Sequence, residues 1–468
     1  MTLPSTRGVD VAASTELGTR LRVQVPLASH ADPITGDRAD PVEILAAQIP
    51  SRLPELIPLR HERMLVTPFT FFRGAAAVMA ADLAPSPTTG ITVQLCGDAH
   101  LSNFGMFASP ERRLVFDVND FDETFPGPWE WDVKRLVASL VVAGRQNGYD
   151  DKQVHKIAVR AVRRYQEAMR GFAGATNMAV WYARLDVEEF RAQVADYLDK
   201  QATKRFDKSL AKARSRDHLR SFNRLTEVVA GRRRFVADPP LLVPVSDLVG
   251  AEAQPEVYEE LRHLVYDYAG GLLPGERELV RSYEFKDMAR KVVGVGSVGT
   301  RCWIVLMLGR DDNDPLLLQV KEAQASVLAA HLGHPEPRDE GQRVVAGQRI
   351  MQAATDIFLG SQHVTGFDGR PRDFYIRQLQ DWKGSAQVET MVPRVMRIYG
   401  EVCAWTLARA HARSGDRIAI AAYLGDDDTF AEAVARYGEA YADLNVEDHA
   451  RFGRAVAEDT YLGQGQPA

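Results

Sequence analysis

The segment Gly97-Asp98-Ala99-His100-Leu101-Ser102-Asn103 lies in a loop between two short apolar runs, residues 91–95 and 114–116. An aspartate and an asparagine five residues apart in such a loop suit phosphoryl transfer. Asp98 would accept the proton of an attacking hydroxyl, while the Asn103 carbonyl oxygen would coordinate magnesium beside the transferred phosphate. The second apolar run leads into Asp117-Val118-Asn119-Asp120-Phe121-Asp122-Glu123, where a magnesium-binding carboxylate belongs. Magnesium takes one or two carboxylates and otherwise keeps water and phosphate oxygens. Asp120 is the first choice, with Asp117 and Asp122 as alternatives. Acidic segments of this kind also cap turns, and either one alone reads equally well that way. Their occurrence in tandem, each behind an apolar strand, favours the metal-phosphate chemistry.

A second constellation follows much later in the chain, Gly294-Val295-Gly296-Ser297-Val298-Gly299. The spacing G-x-G-x-x-G alone fits dinucleotide folds, phosphate-covering loops and plain turns. A dinucleotide site must open a helix after the third glycine. Here residues 300–307 are apolar and β-branched and continue as a strand. A glycine loop between antiparallel strands instead covers the phosphates of ATP. Gly294, Gly296, Ser297 and Gly299 would offer backbone N–H groups to them, glycine allowing the close approach. The return strand ends in Gln319-Val320-Lys321-Glu322-Ala323, where the Lys321 ammonium would bind the α- and β-phosphates. By itself Lys321 also reads as an edge-strand lysine that discourages aggregation. Glu322 and Glu340 are candidates for a glutamate holding Lys321. His100 is expected to brace its loop, and Arg73 and Arg135 to pair with Asp132 and its neighbours.

The elements that must position these residues follow from pattern. Helical periods occur over residues 41–65, 128–147, most of 150–235, onward to about 288, then 340–358, 392–413 and 428–458. A β-hairpin pattern spans 291–322, and residues 374–376 look like a further strand, which would line an adenine pocket. The chain therefore divides into an N-terminal extension (1–60), a helical lobe with the catalytic and metal loops (61–285), a β-rich nucleotide lobe (286–385) and C-terminal helices packing back on the helical lobe (386–468).

Composition narrows the classes. The net charge of −6 gives no global attraction to nucleic acid or an anionic membrane. Three widely separated cysteines, Cys96, Cys302 and Cys403, exclude a disulfide framework and an ordinary cysteine zinc site. No run approaches a membrane span or a secretory leader, so a cytoplasmic protein is expected. Residues 200–235 hold twelve lysines and arginines against Asp207, Asp217 and Glu227. They read as a solvated helical face, or as a dock for an acidic substrate.

The catalytic and metal loops resemble those of aminoglycoside and choline kinases, and residues 407–412 resemble the helix that immediately precedes that catalytic loop. More specifically, the chain is similar to the bacterial family catalogued as domain of unknown function 2252. Four stretches carry this likeness: Pro68-Phe69-Thr70-Phe71-Phe72-Arg73-Gly74, the two acidic loops, Pro126-Gly127-Pro128-Trp129-Glu130-Trp131-Asp132, and Lys291 to Gly299 through Lys321-Glu322-Ala323. The resemblance implies an α+β, protein-kinase-like fold of two lobes, a large helical one and a small antiparallel β one. Because Asp98 precedes Lys321, the order is reversed, and a circular permutation is expected. ATP and magnesium are the implied cofactors. The γ-phosphate would pass to a hydroxyl of a small molecule or protein. A nucleotide-binding regulator without turnover and a transferase of AMP are the alternatives on the same fold. The shared site requires Lys321 to lie within ~10 Å of Asp120, the reach of a nucleotide bridging them.

Overall fold

The computed structural model describes residues 10–458 apart from 33–37, 195–203, 205–206, 209, 212–213, 215–217, 251, 334–338, 367–368, 380–381 and 383. The helical part is built on four long helices. Trp129–Gln146 is buried along nearly its whole length. Asp151–Ala173 opens at a capping box in which Asp150 and Gln153 satisfy each other's backbone N–H groups. Its buried side chains Val154, Ile157, Ala158, Ala161, Val162 and Tyr165 follow the 3.6-residue period of one helix face. That face packs on helix Pro393–Ser414, and helix Thr429–Ala457 packs on Trp129–Gln146. The first helix, Val11–Gln24, lies on Arg417–Leu424, so the start of the described chain packs on its C-terminal part.

The acidic loops hang from four short strands: β1 (Thr92–Leu95), β2 (Phe104–Ala108), β3 (Leu114–Val118) and β4 (Phe125–Pro128). β1 pairs with β4, and β2 pairs with β3, all antiparallel. Residues 96–103 and 119–124 thus leave the same small framework side by side. β5 (Leu185–Asp186) adds to β3.

A hairpin of β6 (Thr226–Val229) and β7 (Arg232–Phe235) precedes the main sheet. That sheet contains β8 (Leu242–Pro244), β9 (Glu284–Lys291), β10 (Cys302–Leu308), β11 (Pro315–Ala323), β12 (Gly360–Thr365) and β13 (Pro371–Gln378), in the spatial order β12-β13-β11-β10-β9-β8. Every neighbouring pair is antiparallel. A final short strand, β14 (Gly384–Ser385), returns to β2. One sheet face, with Val305, Met307, Leu318 and Ile376, packs on helices Gln254–Gly270 and Pro274–Arg281. The opposite face carries Lys321. Cross-strand partners share a face, so Tyr375 and Cys302, both opposite Lys321, stand on that side too.

Several elements differ from the sequence expectation. The sheet starts before residue 286, because β8 and the first part of β9 belong to it. The helical reading up to residue 288 failed at β9, where Asp287 is buried and interrupts the apolar pattern. Phe235 N–H and the Tyr258 hydroxyl satisfy it at 2.7 and 2.6 Å. The helix after Lys321 stops at Met351, short of 358. The basic stretch is helical only in part, since residues 226–235 form the β6–β7 hairpin. Arg233 pairs with Asp312 at 2.5 Å and Arg234 with Glu227 at 3.0 Å. Lys200, Arg205, Lys212 and Arg216 lie outside the described residues. Among the described residues no helix is long and apolar enough to cross a membrane.

Candidate active site

Lys321 sits on the third of three successive antiparallel strands, β9, β10 and β11, and its side chain is 3% exposed. Its ammonium lies 2.5 Å from Asp122 Oδ2 and 3.6 Å from Asp120 Oδ1, across 199 residues of chain. The glycine-strand segment and the acidic loop therefore meet at one point. Burial alone would depress the Lys321 ammonium, but the Asp120 and Asp122 carboxylates outweigh it and hold its pKa well above the ordinary value. Tyr375 donates its hydroxyl to Asp122 Oδ1 at 2.6 Å, and its ring lies 5.3 Å from the Lys321 nitrogen. Burial, and then the nearby Asp122 charge, push the Tyr375 phenol well above its usual pKa, so it stays a donor.

Neither glutamate expected to hold Lys321 does so. Glu322 faces the other side of β11 and pairs with Arg301 at 3.3 Å and Arg372 at 3.4 Å. Glu340 pairs with Arg343 one helical turn away. Asp122, counted from sequence only as a possible metal ligand, is the partner instead. Asp117 is not available to a metal: it is buried, pairs with the buried Arg409 and accepts Val118 N–H at 2.9 Å.

Asp98 is held by the Arg135 guanidinium at 2.6 Å, and His100 Nε2 stands 3.6 Å from its other oxygen. Arg135 was expected on Asp132. That carboxylate instead accepts Cys96 N–H at 2.7 Å and Gly97 N–H at 3.0 Å, with His411 Nε2 at 3.2 Å. Asp132 thereby fixes the backbone leading into Asp98, and it ties that backbone to helix Pro393–Ser414. His100 Nδ1 accepts Ser102 N–H at 3.1 Å, which leaves the ring proton on Nε2, facing Asp98. Burial lowers the His100 pKa to about 4 against the opposing pull of Asp98, so the ring is neutral and braces the loop. Arg73 senses the Asp98 charge, and burial lowers its pKa. Asn103 donates Nδ2 to the Asp98 carbonyl at 2.8 Å, which leaves Oδ1 as the atom free to meet a metal.

The glycine turn joins β9 to β10 and rests on the N-terminal helices. Gly294 and Gly299 adopt φ of +66° and +94°, the left-handed region that favours glycine. Arg63 donates to the Gly294 carbonyl at 2.6 Å; Arg52 donates to those of Gly296 and Val298 at 2.9 and 2.6 Å. A trans peptide points N–H and C=O in opposite directions. Fixing these three carbonyls on the arginines therefore turns the Val295, Ser297 and Gly299 N–H groups the other way. The Ser297 hydroxyl is used inside the turn, donating to Val293 O at 2.9 Å. Gly296 approaches the Arg73 carbonyl closely enough that a Cβ would stand 3.2 Å from it. The turn thus sits beside the helix that carries Arg73 toward Asp98.

Two arginines of the site had no signal in the sequence. Arg377, two residues beyond Tyr375, donates to Asn119 O at 2.9 Å and Gln319 Oε1 at 3.2 Å. Despite burial its pKa is raised, by Tyr375, Asp120 and Asp122. Arg343 donates to the carbonyls of Thr124 at 2.6 Å, Asp122 at 2.9 Å and Gln324 at 2.8 Å, strapping the acidic loop to β11. Only partner geometry distinguishes these from surface arginines.

A magnesium ion fits this donor set in a limited sense. Among the described residues no cluster of three or more His, Cys, Asp or Glu side chains is arranged to hold a metal. Asp120 and Asp122 are 36% and 30% exposed, and Asn103 Oδ1 is unspent. Two carboxylates and one amide oxygen suit an ion whose other ligands are water and phosphate.

A family model described as an uncharacterized protein conserved in bacteria (DUF2252) matches residues 52–455. The chain belongs to this family. The DUF2252 region begins at Arg52, the residue that grips the glycine turn, and takes in all of the site described above. No curated protein and no solved structure shows a significant match.

Proposed function

We propose that this DUF2252 protein is an ATP-dependent phosphotransferase with a circularly permuted, kinase-like active site. It would move the γ-phosphate of ATP to a hydroxyl of a small-molecule or protein acceptor. The observation that carries the reading is Lys321 Nζ lying 2.5 Å from Asp122 and 3.6 Å from Asp120. A glycine turn between the first two strands of a meander, the lysine on the third and a helix after it also support it. The permutation is supported at a second point. The end of helix Pro393–Ser414 touches the strand that feeds the catalytic loop, Ser414 Oγ accepting Gln94 N–H at 2.9 Å. A chain running in ordinary kinase order would pass from that helix into that loop.

In this reading Lys321 and Arg377 receive the phosphates, and the outward N–H groups of the glycine turn cover them. Asn103, Asp120 and Asp122 would hold magnesium, which supplies charge neutralisation of the phosphate oxygens when bound. Asp98 positions the acceptor hydroxyl. Mass-spectrometric screening of a bacterial metabolite extract for ATP-dependent gains of one phosphoryl group tests this. Lys321→Ala and Asp98→Ala should each lower product formation at least 100-fold. A product mass matching AMP addition would instead favour nucleotidyl transfer.

The pairing of Asp98 with Arg135 favours one second reading, a nucleotide-binding regulator without turnover. One oxygen of that carboxylate is already occupied by a guanidinium donor at 2.6 Å, where a base would need to meet the acceptor hydroxyl. Thermal stabilisation by Mg-ATP with no phosphorylated product from any extract fraction would decide for it.

A further inference from the structure

Granting the phosphate site proposed above, the organic end of the donor must leave it along one of two routes. The first runs along the sheet face of Lys321. Gln319 and Leu317 follow Lys321 on that face, with Ile304 and Leu306 opposite them on β10. Beyond Gln319 the surface is apolar, which would suit a base, but it is closed. Phe222 and Leu225 of helix His218–Leu225, with Phe235 of β7, pack on Ile304, Leu306, Leu317 and Leu379. Phe222 is 2% exposed and Phe235 fully buried. Phe235 is fastened by its N–H to Asp287, and the Arg233 guanidinium lies 4.7 Å from the Phe222 ring centre.

The second route passes Arg377. Behind it lies a cavity of about 360 Å³, bounded by the start of β11, the end of β13, helix Glu340–Met351 and the β2–β3 hairpin. That volume is in the range of small-molecule sites. Its walls include Asn119, next to Asp120 in the chain, and Arg377 itself, so it adjoins the phosphate cations. Phe107, Leu316 and Phe358 give it apolar sides, and the amides of Gln348 and Gln378 give donors and acceptors. This mixture suits a planar heteroaromatic base. None of the lining residues is Asp98, Arg135 or His100, so the cavity faces the donor's side of the reaction and not the acceptor's. We propose that this cavity receives the nucleoside of the phosphate donor, leaving the sheet face under Phe222 closed throughout.

The test is calorimetric titration of the full chain with Mg-ATP and with magnesium tripolyphosphate, which lacks a base. Ala108→Trp and Ile357→Trp each add bulk at the cavity wall; Ile357 is 36% exposed, so its variant carries little folding risk. Either should weaken Mg-ATP at least tenfold while leaving tripolyphosphate within twofold, and Phe222→Ala should leave both within twofold. Tighter Mg-ATP binding by Phe222→Ala, with the tryptophan variants unaffected, would put the base on the sheet face and overturn the proposal. Equal affinity of the unaltered protein for ATP and tripolyphosphate would remove the nucleoside site while sparing the phosphate reading. Binding of neither would sink both.

Discussion

Lys321 pairs with the two carboxylates that a magnesium ion would need under the proposed function, so the site holds one cation where another would have to bind. Two opposite charges about 4 Å apart interact by about 4 kcal/mol at an effective dielectric constant near 20. With both carboxylates a third open to water, on the order of 1 kcal/mol of that survives. Replacing Lys321 by Met should therefore move two affinities in opposite directions. Manganese alone, followed by its electron paramagnetic resonance signal, should bind about fivefold more tightly as Asp120 and Asp122 are released. Mg-ATP should bind at least tenfold more weakly, because the phosphates lose their cation. A parallel loss of both would mean that Lys321 only holds the fold together. Of these residues, Asp98, Asn103, Asp120, Asp122 and Lys321 were legible in the sequence, because each is a polar group in or beside a short apolar strand. Their partners were not. Arg135 lies on the same helix as Asp132, one turn away, so pairing with it was the local guess, yet the fold hands Asp132 to backbone N–H groups and Arg135 to Asp98. A contact made across hundreds of residues leaves no trace in spacing.

The glycine turn depends on elements that precede it by more than two hundred residues. Arg52, Arg63 and the N–H of Leu53 occupy four of its carbonyls, those of Gly294, Gly296, Val298 and Gly299. Val295 packs against the small apolar cluster of Leu45, Met64, Phe71 and Phe452. Arg52→Ala should leave the fold intact but release the turn. Hydrogen exchange over residues 293–300 should quicken by at least tenfold, and Mg-ATP affinity should fall by roughly tenfold, about 1.4 kcal/mol. Unchanged exchange would show that Val295 alone fixes the turn. The two strands after the turn, β10 and β11, were readable from their apolar runs, since period and composition are local properties. The start of β9 and the β6–β7 hairpin were not. There charged residues stand at sheet positions, and only tertiary partners such as Tyr258 for Asp287 make that tolerable.

At the scale of the molecule, three histidines, His30 and His100 buried and His61 half-buried, sit where segments distant in sequence meet. His30 Nε2 lies 2.7 Å from the Tyr423 hydroxyl, joining the N-terminal segment to the C-terminal helices. The His61 ring meets Phe452 edge-on at 5.6 Å, on the last helix, and His100 braces the loop that carries Asp98. Burial lowers their pKa values to about 3, 4 and 4 respectively. In the unfolded chain each returns to about 6.5. Between about pH 4 and 6.5 the unfolded state therefore binds more protons than the folded one, so stability rises with pH in that window and falls as acid is added. Above pH 6.5 both states are neutral at these positions, and they contribute no slope. Lowering the pH from 6.5 to 5.5 should remove on the order of 1 kcal/mol per histidine, seen as a lower urea midpoint with the same m-value. His30→Gln, which keeps a polar group near Tyr423 but cannot titrate, should flatten the slope by about a third while lowering stability at pH 7.5. A slope identical to that of the unaltered protein would assign the acid sensitivity to carboxylates. It would also leave the junction between the N-terminal segment and helix Arg417–Leu424 without a proton switch.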